Sequence, residues 1–253
     1  MKSSKLLAAA LAVLLFGALF AGTTAAVESS PQDLPEESEV GADFEATFEL
    51  TDLFGDYREW TLSAGTELEN VTWTIDQYDQ AGDQVGDTTE VDGQNVTETV
   101  NIDDDTASIE VRVTGTTPEV DEWSYDPPDR FIVASFTQTR EGGSNNDIAT
   151  HRSHHYTADS REARQAIDQA QTTVEGSGSG EAQSSLDSAI SAYESGNFEN
   201  AISLAERAEN EASQSQFRRN ALMIGGAAIV VLLVAFGGYR LYRSRKQDTS
   251  RLK

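Results

Sequence analysis

Three histidines, His151, His154 and His155, fall within five residues and are the only imidazoles of the chain. On a helix they would share one face and could ligate a metal; on a strand His151 and His155 share a face that His154 does not. No carboxylate stands at a recognisable ligand spacing beside them. The cluster therefore reads as a polar edge strand or a domain junction, and no metal ligand is assigned. Asp103-Asp104-Asp105 and the Asp121–Asp129 loop, DEWSYDPPD, offer oxygen atoms to a cation but match no regular calcium loop. In so acidic a chain such clusters arise from composition, and they read as solvated. Trp123 and Tyr125 are a different matter, because aromatic side chains outside any strand pattern are contact anchors for a partner. The competing expectation is that they fold back over an open end of a sheet domain.

Two tripeptides, Asn70-Val71-Thr72 and Asn95-Val96-Thr97, have the form of glycosylation acceptors. If Val71, Trp73 and Ile75 face a core, then Asn70 and Thr72 face water. The same parity turns Asn95 and Thr97 outward if Val96 and Val100 point in. No nucleophile elbow, phosphate loop, dinucleotide fingerprint or metalloprotease helix is found. No catalytic or cofactor-binding residue is assigned, and the expectation is a protein that is not an enzyme. The chain has no cysteine, which excludes disulfides, thiolate metal sites and a cysteine-linked lipid anchor.

Charge is partitioned along the 253 residues, whose net value is −25. Between Glu28 and Phe217 stand 42 Asp and Glu against eight Arg and no Lys, a formal −34. This balance argues against a nucleic-acid binder, which needs a basic stripe to track phosphates. Carboxylates hold water and cations strongly, and in molar salt the screening length falls to roughly 3 Å, so self-repulsion is muted. The preference for acid, and for Arg over Lys, resembles that of halophilic archaeal surface proteins.

Two apolar segments have different roles. Lys2 and Lys5 precede the run Leu6 to Ala21, and Thr23-Thr24-Ala25-Ala26 offers cleavage before Val27, so residues 1–26 read as a signal peptide. Ala221 to Tyr239 is free of charge over 19 residues. As a helix it would measure about 28 Å, which matches the hydrocarbon thickness of a bilayer. Arg240 to Lys253 carries six basic groups against Asp248 alone, whereas only Arg218 and Arg219 flank the near side. The basic tail is thus expected inside the cell and the acidic part outside. Glycines at 225, 226, 237 and 238 would allow close helix contact, but no clean GxxxG repeats, and a homo-oligomer is unsupported.

Between these segments the period of the apolar residues decides the elements. After an acidic linker (27–39), Val40, Ala42, Phe44, Ala46, Phe48 and Leu50 alternate with polar residues, the mark of a half-buried strand. Similar runs centre on Trp60 and Leu62, on Val71 to Ile75, on Val96 to Ile102, on Ala107 to Val113, on Phe131 to Thr139 and on Ile148 to Tyr156. Turn residues separate them, so an antiparallel β-sandwich is expected over 40–157. Trp73 with the Asp79–Gly86 turn, and the stretch Ile109 to Pro118, resemble the core tryptophan and a late strand of immunoglobulin-like domains. That family's cysteine pair is missing.

From Asp159 the period changes to three and four. Ala163, Ile167, Ala170 and Val174, then Ala182 to Tyr193, then Phe198 to Ala212 predict three helices over 158–217, broken at Gly176–Gly180 and Ser195-Gly196. Asn197 is a good N-cap for the third. Ala189, Gly196, Phe198, Ala201 and Ala208 stand where one tetratricopeptide-like helix pair would have them, and a single copy needs neighbours to cover its faces. The expected order is sandwich ectodomain, helical stem, membrane span (218–239) and cytoplasmic tail (240–253). The expected function is a surface protein that binds another envelope component or a neighbouring cell. The alternative is an accessory subunit of a transporter or secretion complex, held through stem and span.

Overall fold

The computed structural model describes residues 26–140, 143 and 145–247, with side chains described up to Ala221 and at 234–236. The leader at 1–25 and the end of the tail lie outside the described residues. The chain divides into two compact units. The first comprises the residues up to Asp121 together with Asp129–Tyr156; the second comprises Glu122–Pro128 and everything from Thr157 on.

The first unit holds ten strands in two sheets of five. One sheet has the order β1 (Glu28–Asp33), β3 (Asp43–Thr51), β8 (Ser108–Thr116), β5 (Glu69–Tyr78), β6 (Gln84–Asp92). The other has the order β2 (Glu37–Glu39), β10 (Asn146–Tyr156), β9 (Arg130–Thr139), β4 (Glu59–Gly65), β7 (Asn95–Asn101). Every pairing is antiparallel except that of β2 with β10.

The alternation in sequence becomes the core directly. Phe44, Ala46, Phe48 and Leu50 of β3, Val71, Trp73 and Ile75 of β5, and Ile109, Val111 and Val113 of β8 are all buried. So are Trp60, Leu62 and Ala64 of β4 and Phe131, Val133 and Phe136 of β9. Phe44 meets Phe131 edge-on with centroids 5.4 Å apart, and Phe48 meets Phe136 at the same distance, so the two sheets share one core. Burial of each such ring contributes about 1.5–3 kcal/mol.

The segment expected to be an acidic linker carries β1 and β2, and β6 forms in a stretch for which no strand was expected. All three are edge strands with mostly exposed residues, so they show no inward row. Pro31 fits such an edge, where a missing amide breaks no ladder bond, and the acidic side chains discourage pairing with other chains.

The second unit is helical: α1 (Ala158–Glu175), α2 (Gly180–Glu194) and α3 (Phe198–Gln247). Thr157 caps α1 in a reciprocal box with Ser160. Ser179 accepts from the Ala182 amide at the start of α2, and Asn197 from the Asn200 amide at the start of α3. Their shared core is built chiefly of alanine: Ala163, Ala170, Ala182, Ala189, Ala201, Ala205, Ala208 and Ala212. Ile167, Val174, Leu186 and Tyr193 supply its bulk. The charge-free run Ala221–Tyr239 lies within α3. Among the described residues no helix is long and apolar enough to cross a membrane.

Candidate functional site

The segment Glu122–Pro128 leaves the first unit between β8 and β9 and enters the helical one, bringing both candidate aromatics with it. Trp123 packs edge-on against Phe198 at 4.7 Å and against Tyr193 at 6.2 Å. Tyr125, only 8% exposed, meets Tyr193 at 5.9 Å, and Tyr193 meets Phe198 at 5.4 Å. The four rings thus fill a gap that alanine cannot. Gly196 makes the space: it takes φ +71°, and a Cβ there would stand 3.3 Å from the Trp123 ring.

The polar end of Tyr125 is equally fixed. Its hydroxyl donates to the Asp168 carboxylate at 2.5 Å and lies 3.2 Å from the Gln171 side-chain oxygen, while the Arg164 guanidinium stands 4.7 Å over its ring. Burial, and then the adjacent Asp168 carboxylate, push the phenol above its ordinary range, against the pull of Arg164. These two aromatics have intramolecular partners. The sequence marks these residues but not their location, for which the available signal was the aromatic pair Tyr193 and Phe198 on either side of Gly196 in the helix pair.

The histidines do not converge. His151 accepts or donates at the Ser29 hydroxyl, 2.9 Å away, and stacks on Phe48 with centroids 4.6 Å apart. Burial lowers its pKa. His154 reaches the Asp129 carbonyl at 2.8 Å. His155, 4% exposed, lies between the Asp129 carboxylate at 2.9 Å and the Pro118 carbonyl at 3.2 Å. His151, Ser153 and His155 share one face of β10 by the period of two, and that face turns toward the core. Among the described residues no group of three or more His, Cys, Asp or Glu could hold a metal ion.

Asp103 and Asp104 belong to a 3-10 turn (Ile102–Asp104), and Asp103 pairs with Arg58 at 3.0 Å on the surface. Asp105 follows in the left-handed conformation at φ +59°.

Both sequons face outward, with Val71, Trp73, Val96 and Val100 buried beneath them. Asn70 sits at a bulge with φ +51°, opposite Gly115, where a Cβ would stand 2.8 Å from the Glu69 carbonyl. The Thr72 hydroxyl donates to Asp92 at 2.7 Å, beside an open depression of about 480 Å3 that Asn70 and Gln94 also line. Asn95 pairs with Gly65 at the start of β7. The turn Asp92-Gly93-Gln94 joins β6, whose last residue Asp92 pairs with Thr72, to β7, which begins at Asn95, so both asparagines lie at one end of the sheets. That is also the end where Tyr156 closes β10, bound through its carbonyl to the Val40 amide.

The opposite end of the sheets holds a larger cleft of about 770 Å3. It lies between the β3–β4 loop, the β5–β6 turn and the residues that lead into β8. Of the acidic run Asp103-Asp104-Asp105, read from the sequence as solvated, Asp105 lines this cleft.

No family model matches the chain, and no curated protein matches it. Among solved structures it is similar to a sporulation control protein of Bacillus subtilis, at 9% identity and a TM-score of 0.29, over 56% of this chain and 54% of that one. It is similar also to an alkylpurine DNA glycosylase of Pseudomonas fluorescens, at 11% identity and a TM-score of 0.26, over 52% and 30% of the two chains. A cohesin module from a Clostridium perfringens glycoside hydrolase of family 33 matches at 12% identity and a TM-score of 0.24, over 52% and 97%. The aligned part spans about half the length of the first of these proteins. Likenesses at this level carry no argument about this chain.

Proposed function

We propose that this chain is a non-enzymatic, single-pass surface protein of a halophilic archaeon. Its immunoglobulin-like sandwich stands outside the cell and binds another component of the envelope or a neighbouring cell. The observation that supports this most is α3. One unbroken helix bears the buried alanines of the stem and continues into the charge-free run, where Val234 and Phe236 are 70% and 68% exposed. Large apolar side chains left uncovered on a helix surface are what a bilayer would enclose. The basic residues beyond Tyr239 then hold the tail at the inner leaflet.

The absence of cysteine makes the test clean. Asp87→Cys places one thiol on the exposed edge strand β6, and Ser244→Cys places one in the basic tail. On intact cells at native salt an impermeant maleimide should label the first variant and leave the second unlabelled until the cells are lysed. Labelling of Ser244→Cys alone would overturn the topology. In-cell crosslinking of the full chain then separates the two modes of binding. Links from the sandwich to a foreign surface protein fit the proposal, and links confined to stem and span, reaching an integral membrane protein, would replace it with an accessory-subunit role.

A further inference from the structure

The cleft at the far end of the two sheets has a fixed base and a rim with unused hydrogen-bonding capacity. Leu53 is buried there, and its carbonyl accepts from the Trp60 indole at 2.9 Å. Thr106 is buried as well, and its hydroxyl donates to Gln77 at 2.7 Å. The Asp79 carboxylate is held by its own turn, where its Oδ1 accepts from the Ala81 and Asp83 amides at 2.8 and 2.9 Å. Asp52 and Asp105 differ from it. Both stand on left-handed backbone, at φ +56° and +59°, and neither carboxylate has a hydrogen bond or ion pair among the described residues. Half-buried Phe54 and Ile102 supply apolar surface to the same lining. No basic side chain lines the space.

A ligand for this cleft must therefore bring hydrogen-bond donors and some apolar surface. A bare cation is disfavoured, because among the described residues no three acidic or imidazole groups gather there to hold one. A basic peptide would be drawn to any part of a surface this acidic, and its charge pairing fades in high salt. A neutral polyhydroxylated ligand escapes both objections: paired hydroxyls donate to a carboxylate, and the C–H face of a sugar ring packs on an aromatic. The volume of about 770 Å3 lies within the size range of small-molecule sites. The position agrees, since both sequons and the end of β10 at Tyr156 lie at the other end of the sheets, so a glycan on Asn70 or Asn95 would leave the cleft open.

We propose that the Asp52–Asp105 cleft is a saccharide-binding site for a neutral oligosaccharide. This deepens the reading of the chain as a surface binding protein and rests on it. The probe is an array of neutral oligosaccharides of glucose, mannose and galactose, presented to the full-length protein in lipid nanodiscs at molar KCl. The tightest binder is then titrated against variants. Asn adopts the left-handed conformation readily, so Asp52→Asn with Asp105→Asn keeps the loops while removing both charged acceptors. Loss of two charge-assisted hydrogen bonds should weaken binding about tenfold or more. Phe54→Ala should weaken it as well, and Asp87→Asn, on β6 outside the cleft, should not.

Absence of binding to every sugar, or binding that ignores the Asp52 and Asp105 changes, would overturn the proposal. So would displacement of the sugar at molar salt by an oligo-arginine peptide, which would make the cleft a cationic-peptide site. Full affinity for free oligosaccharide would identify an unattached polysaccharide as the source. A need for the same sugar on a carrier protein would identify a neighbouring glycoprotein. Because the array uses purified protein, its failure is distinct from failure of the maleimide test, which alone decides whether the chain faces outward.

Discussion

The two units solve the problem of burial in opposite ways. The two-sheet unit closes around large side chains, with Trp60, Trp73, Phe48, Phe136, Leu50 and Ile109 almost wholly enclosed. The helical unit closes around methyl groups, with eight fully buried alanines and few larger residues. Alanine allows helices to approach closely but removes little apolar area from water, and stabilisation follows area. The helical unit therefore depends on bulk that its own helices lack, and Trp123 and Tyr125 supply it from a segment between two strands. What looks in sequence like a binding loop is part of a hydrophobic core.

Salt should expose this difference most strongly. From Val27 to Phe217 the sheet unit carries 29 acidic groups against five Arg, and the helical unit 13 against three, so both are strongly self-repelling. The thinner core has less to set against that repulsion once screening is removed. On stepwise dilution from molar KCl, amide protection should disappear from α1, α2 and the first turns of α3 while β5 and β8 remain protected. Simultaneous loss in both units, followed by hydrogen exchange and mass spectrometry, would erase the comparison.

Next in size is the effect of emptying the larger core. Trp73 is fully buried, and its indole donates to the Gly93 carbonyl at 3.0 Å. Trp73→Ala should destabilise the sheet unit by about 3–5 kcal/mol, measured by urea unfolding at native salt. A loss under about 1 kcal/mol would mean that this core is far more yielding than its packing indicates.

Tyr125→Phe tests the polar side of the helical core. It keeps the ring between Tyr193 and Arg164 but removes the hydroxyl from Asp168. The expected cost is about 1.5–3 kcal/mol, since the acceptor is charged. The pH dependence adds a signature. The folded state holds this phenol protonated beyond the ordinary value near 10, so its contribution is complete below that pH and is lost as pH rises through the folded value. Wild type should lose helical-unit stability steeply in alkali, and the variant should lose less. Tyr78, raised chiefly by burial and then by Glu110 and Asp76, gives a slope of the same sign in the sheet unit, which the Tyr125 change should leave unaltered, and serves as the internal control.

Much of this architecture was legible because burial writes a period into the chain. Seven strands announced themselves by alternation, and the three helices by spacings of three and four. The strands β1, β2 and β6 were silent for the complementary reason: at an edge with both faces wet, nothing selects apolar residues at every second position. The home of Trp123 and Tyr125 was also hidden, because their partners Asp168, Tyr193 and Phe198 lie 43 to 75 residues further along the chain. Asp52 and Asp105 could not be paired from sequence either. Each looked like one more aspartate in an acidic chain, and only the fold brings both to one cleft.

The finest test compares two glycines with the same backbone and different surroundings. Gly86 in β6 has φ +74° with open space where a Cβ would go, and Gly196 has φ +71° with Trp123 at 3.3 Å. Alanine at either position must take a left-handed conformation, at a cost of about 1–2 kcal/mol. Gly86→Ala measures that strain alone. Gly196→Ala adds displacement of the indole, which should cost up to about 1 kcal/mol more and shift the Trp123 side-chain resonances. Equal losses at the two positions, with Trp123 undisturbed, would mean that the segment from the sheets yields freely. In that case the helical unit would not rely on borrowed aromatic bulk, and its alanine core would have to be sufficient by itself.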